Sequence, residues 1–194
     1  MTDVVVFGAG GRAGRAVLAE ARRRGLSATA VVRDPAKYPD LENAVAGDAT
    51  DAELVARVAK GHATAIVTVY SAEQSEYAKA TGQLLEGLER AQVGRLLLVG
   101  LATTLGPVPD DFPAAWRPFV EGRGEELAVL GRYAGPVDWV VLTPPMELVE
   151  GPGTRYRTQA LGNPLTYAAL AAALLDEAAE NRHHRRQIAI SGEG

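Results

Sequence analysis

Three glycines near the start of the chain constrain its fold more than any other feature. Gly8, Gly11 and Gly14 directly follow the apolar run 3–7, and residues 12–24 then place apolar side chains on one helical face. In such a set the first glycine allows a tight turn, the second lets backbone N–H groups approach a pyrophosphate, and the third permits close helix–sheet packing. The pattern therefore predicts a strand, turn and helix that hold a dinucleotide, because three glycines exceed what a plain turn requires.

Apolar runs and amphipathic stretches alternate along the rest of the chain. Runs typical of buried strands lie at 27–32, 44–46, 63–70, 95–101, 138–142 and 187–191, and helical periodicity marks 51–60, 73–91, 121–132 and 166–180. Proline and glycine make residues 105–118 and 144–165 irregular, and the first of these segments indicates a covering loop. No linker divides the chain, so the pattern predicts a single-domain α/β fold with a doubly wound parallel sheet.

Composition excludes several classes of protein. Of the 194 residues, 47% are hydrophobic and 23% are charged, as in ordinary globular proteins. No window reaches the roughly 18 to 20 apolar residues of a membrane helix, and the N-terminus lacks the apolar core of a secretion signal. The net charge of −4 and the lack of a long basic run argue against a nucleic-acid partner. Because there is no cysteine, disulfides and thiolate metal sites are excluded. From these observations together we expect a cytoplasmic protein without a metal or membrane partner.

The spacing of the glycines, GxxGxxG, resembles that of the short-chain dehydrogenase/reductase superfamily. Within it, the chain is most similar to the atypical NAD(P)H-binding branch of NmrA-like and biliverdin/flavin reductase-like proteins. Further segments resemble this branch in the right order: VVRDPAKY at 31–38, AGDATD at 46–51, AQVGRLLLVG at 91–100, DWVVLTPP at 138–145 and LTYAALAAALLDE at 165–177. The resemblance implies one NAD(P)-binding Rossmann-like domain over residues 1–194, a small-molecule substrate, and a monomer or homodimer.

The resemblance also implies which residues contact the cofactor. It assigns the pyrophosphate to Gly8, Gly11, Arg12 and Gly14, and the adenosine ribose to Arg33. It places Asp48 and Ala49 at the edge of the adenine, and Val69 and Tyr70 under the cofactor. An aspartate after a glycine and before a helix is also typical of a turn or helix cap, so Asp48 has a second interpretation. We expect the reactive end of the nicotinamide to face Tyr70, Thr103 and the turn after Pro144.

The usual catalytic pair of this superfamily is missing from the sequence. The resemblance implies a Tyr-x-x-x-Lys pair, yet no lysine follows a tyrosine by four positions. Tyr77 and Lys79 lie two positions apart, where helical side chains point to different faces, and we interpret both as solvated. Tyr70 and Thr103 are therefore the catalytic candidates, with water as a further proton source. A threonine at position 103 is equally typical of a side chain that satisfies loop backbone.

The end of the second strand predicts NADP(H) over NAD(H). NAD-preferring proteins generally place an acidic residue there to accept from the ribose 2′-hydroxyl, whereas this strand ends in Arg33. Arg12 and Lys37 add positive charge, and a planar guanidinium can bind a 2′-phosphate bidentately. Asp34 argues for NAD(H), but an aspartate before a proline commonly caps a turn.

These features together indicate an oxidoreductase that reduces an unidentified carbonyl, quinone or flavin with a nicotinamide cofactor. Two alternatives stay open at this point. One is a redox sensor that binds NADP without turning it over, and the other is an isomerase or dehydratase-like member of the same superfamily.

Overall fold

The computed structural model describes residues 3–69, 74–106, 108, 112–158 and 161–193. The strands are β1 (Val4–Phe7), β2 (Ala28–Val32), β3 (Val45–Ala46), β4 (Thr64–Val67), β5 (Arg95–Val99), β6 (Asp138–Thr143), β7 (Leu148–Val149), β8 (Tyr156–Thr158), β9 (Leu165–Thr166) and β10 (Arg186–Gly192). Eight of these form one sheet in the order β3-β2-β1-β4-β5-β6-β10-β8, while β7 and β9 pair separately. Every pairing in the large sheet is parallel except that of β8 with β10.

In the part of the chain that the structure describes, five α-helices cover the two faces of the sheet. They are α1 (Arg12–Arg23), α2 (Ala52–Ala59), α3 (Gln74–Ala91), α4 (Arg117–Arg132) and α5 (Tyr167–Glu180). Helices α1 and α5 pack together on one face, and α3 packs between α2 and α4 on the other. The predicted single-domain, doubly wound Rossmann arrangement is thereby confirmed. Among the described residues, no helix has the length and apolar character needed to cross a membrane.

Strand β1 lies at the centre of the fold because both of its faces are buried. Val4 and Val6 point into the core beneath α1 and α5, whereas Val5 and Phe7 point into the core beneath α2, α3 and α4. This strand pairs with β2 on one side and β4 on the other. An uninterrupted run of apolar residues is what a strand buried on both faces requires.

The structure departs from the predicted elements in the irregular segments. Helix α4 begins at Arg117 rather than at 121, so Phe119 lies within the helix and Trp116 is its N-cap residue. Strands β7, β8 and β9 were not predicted, because strands of two or three residues among prolines and glycines carry no measurable period. These additions do not change the order of the six strands that position the site.

Candidate functional site

A cleft of about 620 Å³ crosses the carboxyl ends of β1, β2, β4 and β5. Strand β1 has β2 on one side and β4 on the other, so the order of the strands reverses at β1. Ligands of doubly wound sheets bind at such a switch point. The cleft brings together six of the residues predicted to contact a cofactor: Gly8, Gly11, Arg33, Asp48, Ala49 and Val69. Their individual roles stay predictions, but they share one surface.

The turn after β1 needs glycine at two positions. Gly8 has φ of +80°, and a side chain there would lie 2.9 Å from the backbone carbon of Thr68 at the end of β4. Thr68 Oγ1 donates to the Gly8 carbonyl at 3.1 Å, which ties the turn to β4. A Cβ on Gly14 would lie 2.4 Å from the Gly8 carbonyl oxygen, so α1 can approach the turn only with glycine there. Gly14 thus packs α1 against the turn and does not itself line the cleft.

Helix α1 begins beside the cleft with backbone N–H groups that no side chain caps. The first helical hydrogen bond runs from Arg15 N to the Gly11 carbonyl at 2.9 Å, and Gly11 has no side chain to cap the N–H groups in between. Gly10 and Gly11 both line the cleft, and a side chain on Gly10 would overlap the ring of Tyr38. A glycine surface with uncapped N–H groups fits the pyrophosphate of a dinucleotide.

The segment after β2 places two cations on the rim of the cleft. Arg33 and Lys37 are exposed and line it. Asp34 Oδ1 accepts from Ala36 N at 3.1 Å, so the predicted turn cap is confirmed, and Asp34 Oδ2 lies 3.8 Å from Lys37 Nζ. Arg33 has no acidic side chain within 4.0 Å among the described residues. Its guanidinium is therefore the group at this rim that can bind a phosphate.

The segment after β3 borders the same end of the cleft. Asp48 Oδ1 accepts from both the backbone N and the Oγ1 of Thr50, each at 2.8 Å, which makes it part of a turn. The N-cap of α2 is Asp51 instead, whose carboxylate accepts from the backbone N of Glu53 and Leu54. Asp48 therefore shapes the turn and lines the cleft at once, and both of its interpretations fit its position.

The inner end of the cleft contains charged residues that were not predicted. Arg123 and Glu126 of α4 are only 6% and 4% exposed, yet both line the cleft together with Tyr77 and Thr81 of α3. The Arg123 guanidinium lies 3.0 Å from Glu126 Oε2 and 4.8 Å from the centre of the Tyr77 ring. Burial raises the pKa of the Glu126 carboxyl, against the opposing effects of Arg123 and Thr81.

The interpretation of Tyr77 as a solvated side chain is wrong. It is 4% exposed and its ring meets the ring of Phe119 edge to face, with the ring centres 5.8 Å apart. Lys79 is exposed, as predicted. The sequence offers one weak signal for the buried pair, the i, i+3 spacing of Arg123 and Glu126, but the same spacing is common in solvated helices.

Besides Gly14, four predicted site residues lie outside the lining of the cleft or outside the described residues. Arg12 is exposed and its guanidinium lies 5.0 Å from the centre of the Tyr167 ring, at the start of α5. Thr103 follows β5, and its Oγ1 is buried without a hydrogen-bond partner among the described residues. Pro144 is buried directly after β6, next to β5 in the sheet. Tyr70 lies outside the described residues, and the roles of all four stay predictions.

The comparisons with known proteins identify the family. A family described as NAD(P)H-binding matches residues 8–181. The chain belongs to this NAD(P)H-binding family. It is 28% identical over 211 residues to the uncharacterized protein YwnB of Bacillus subtilis, a match that covers 97% of each chain.

Two solved structures have the same fold as this member of the NAD(P)H-binding family. One, from Bacteroides thetaiotaomicron, has the provisional name of an epimerase; it is 28% identical, with 100% of this chain and 98% of that chain covered and a TM-score of 0.86. The other, from Streptococcus pneumoniae, has the provisional name of an NADH-flavin reductase; it is 23% identical, with both chains fully covered and a TM-score of 0.84. The predicted resemblance to the NAD(P)H-binding branch is confirmed, and the glycine surface described above fits the cofactor.

Among the described residues, no group of three histidine, aspartate or glutamate side chains is placed to hold a metal ion.

Proposed function

We propose that the chain is a cytoplasmic reductase, a monomer or homodimer, that uses NADPH to reduce a small carbonyl compound, quinone or flavin. The observation that carries the proposal is the cleft at the switch point of the sheet, with a glycine turn at its centre and the exposed cations Arg33 and Lys37 on one rim. When bound there, the reduced nicotinamide supplies the hydride, while the chain binds and orients the reactants. The absence of cysteine supports the cytoplasmic location.

Each part of the site has a proposed role in this function. The N–H groups at the start of α1 and the bare backbone of Gly10 and Gly11 hold the pyrophosphate. Thr103 is proposed to donate a hydrogen bond to the substrate oxygen, because its hydroxyl has no partner among the described residues; since it is buried outside the lining of the cleft, it would have to turn toward the substrate. Tyr70 is proposed as the second donor, by its position directly after Val69.

The preference for NADPH rests on the rim after β2. Arg33 is available to a 2′-phosphate because its guanidinium has no acidic partner within the described ranges. Asp34 is the residue that could favour NADH, but its carboxylate is used by the turn and by Lys37. A 2′-phosphate would therefore meet a cation rather than a competing carboxylate.

We expect Arg33→Ala to weaken NADPH binding by about 10- to 150-fold, because a charge-assisted hydrogen bond is worth roughly 1.5 to 3 kcal/mol. Its NADH affinity should change by less than about threefold, since NADH has no 2′-phosphate at this place. Calorimetric titration of both cofactors at fixed salt measures this. Arg57→Ala, an exposed arginine of α2 outside the cleft, is the matched control.

Two results of that titration would count against the proposal. NADH binding as tight as NADPH binding in the unmodified protein refutes the preference. Unchanged NADPH affinity in Arg33→Ala removes Arg33 from the site even if the preference holds.

The reaction itself is tested by following NADPH absorbance with a panel of aldehydes, quinones and flavins. Oxidation of NADPH by at least one of them supports the reductase. NADPH binding without oxidation across the panel favours the sensor instead. The epimerase name of the Bacteroides structure favours a third outcome, turnover of a substrate without net consumption of NADPH.

A further inference from the structure

The inner end of the cleft contains an ion pair that the proposed cofactor contacts do not use. Arg123 and Glu126 lie one helical turn apart on α4, and both are more than nine-tenths buried. The remaining walls at this end include Ala80, Leu84 and Leu98, which are apolar. A buried charged pair beside apolar walls is costly, and replacement by apolar residues is often neutral or stabilising. The position of the pair on a cleft wall therefore points to a ligand.

The Arg123 guanidinium has donors to spare. It carries five N–H groups, and the described residues supply three acceptor atoms, the two carboxylate oxygens of Glu126 and the Val99 carbonyl oxygen. The ring of Tyr77 lies 4.8 Å from the guanidinium carbon and covers one face of the group. The guanidinium is thus fixed in orientation by groups that leave N–H capacity for a further acceptor.

The cofactor's phosphates do not account for this cation. The glycine turn after β1 is suited to the pyrophosphate, and Arg33 after β2 is suited to a 2′-phosphate. Arg123 projects instead from α4, the helix that precedes β6, and reaches the carbonyl of Val99 at the end of β5. The strand order places β5 and β2 three positions apart in the sheet, so the two arginines border different ends of the cleft.

We propose that Arg123 binds a carboxylate of the substrate and that Glu126 positions the guanidinium for it. The substrates of the proposed reductase are then small, flat carbonyl compounds or quinones that carry a carboxylate, with the apolar walls contacting the rest of the molecule. That the bound anion is a substrate rests on the proposed function, whereas the binding of an anion by Arg123 does not.

Benzoate and the uncharged benzamide are matched probes for this site. With NADP⁺-loaded protein and ligand-observed NMR, we expect benzoate to bind more tightly than benzamide, and Arg123→Met to weaken benzoate by about tenfold or more without weakening benzamide. Glu126→Gln keeps a hydrogen-bond acceptor but removes the competing charge, so it should tighten benzoate binding. A purely structural pair predicts no such gain. Arg57→Met and Glu53→Gln, both exposed on α2, are the matched controls.

Three results would overturn the assignment. If Arg123→Met binds benzoate as tightly as the unmodified protein does, Arg123 does not bind the carboxylate. If calorimetry shows that Arg123→Met loses as much affinity for NADPH as for benzoate, Arg123 belongs to the cofactor site instead. Weaker benzoate binding in Glu126→Gln would show that the negative charge of Glu126 is needed to hold the guanidinium and does not compete with the anion, which contradicts the assignment. If Arg123→Met does not fold, Arg123→Lys replaces it, because lysine keeps the charge but loses the planar arrangement of donors and should weaken benzoate severalfold.

A second measurement separates this inference from the proposed function. The ratio of kcat/KM for 4-carboxybenzaldehyde to that for benzaldehyde should exceed one in the unmodified protein and approach one in Arg123→Met. Benzoate binding that depends on Arg123, without turnover of either aldehyde or any compound of the wider panel, contradicts the reductase and supports the anion site. Turnover of both aldehydes at equal efficiency supports the reductase and overturns the anion site.

Discussion

A Gly14→Ala variant is expected to lose about 3 kcal/mol of unfolding free energy and at least about tenfold in NADPH affinity. The new Cβ would lie 2.4 Å from the Gly8 carbonyl oxygen and 2.6 Å from Ala9 Cα, far inside van der Waals contact. Both atoms belong to the backbone, so no side-chain rotation relieves the overlap, and α1 must move away from the turn. That movement displaces the N–H groups proposed to hold the pyrophosphate. Chemical denaturation and calorimetry measure the two effects.

The matched control is Gly82→Ala on α3. Among the described residues, no atom outside the local helix backbone lies within 4 Å of a Cβ at Gly82, so the substitution adds helix propensity without a contact and should stabilise the protein by about 0.5 to 1 kcal/mol. Its NADPH affinity should equal that of the unmodified protein. A Gly14→Ala protein that is as stable and binds NADPH as tightly as Gly82→Ala would show that close packing of α1 on the turn is not needed.

The features that could be predicted from the sequence are those that depend on neighbouring residues. The glycine turn, the following helix and the cap formed by Asp34 each involve residues within a few positions of one another, and their patterns are strong. The parallel sheet followed from the alternation of apolar runs and helical periods. The order of its first six strands agrees with the Rossmann arrangement because right-handed connections leave few alternatives.

The inner end of the cleft could not be predicted, because it forms only when distant segments meet. Tyr77 on α3 and Arg123 on α4 are 46 positions apart, and only the packing of the two helices places the guanidinium over the ring. Periodicity also assigns charged residues to the solvated face of a helix, so it gives no reason to expect Arg123 and Glu126 inside the protein. The error at Tyr77 has the same origin, since its exposure was judged from local spacing alone.

A second buried charged network lies at the amino ends of β5 and β6, away from the carboxyl ends that form the cleft. Arg95 begins β5 and its guanidinium binds the carboxylates of Asp138, at the start of β6, and Glu177, on α5. Glu177 also accepts from the backbone N of His183 at 2.9 Å and lies 2.7 Å from its Nδ1. Glu177 is 4% exposed, so it joins β5, α5 and the segment before β10 from within the core. Because these strand ends lie away from the cleft, we expect the network to affect stability and not the cofactor contacts.

We expect Glu177→Ala to lower the free energy of unfolding by about 3 to 5 kcal/mol, because it leaves the buried charge of Arg95 partly uncompensated. For a chain of this length the melting temperature should fall by about 6 to 20 °C. Glu180→Ala is the control, since that carboxylate is exposed and paired with Arg182 at the surface, where an ion pair is worth about 1 kcal/mol or less.

Urea denaturation measures both variants, and calorimetry below the melting transition should give an NADPH affinity within about twofold of the unmodified protein for each. A loss of less than about 1 kcal/mol in Glu177→Ala would mean that water or rearranged side chains reach Arg95 and replace the carboxylate, and a selective loss of NADPH affinity would mean that the two edges of the sheet are coupled.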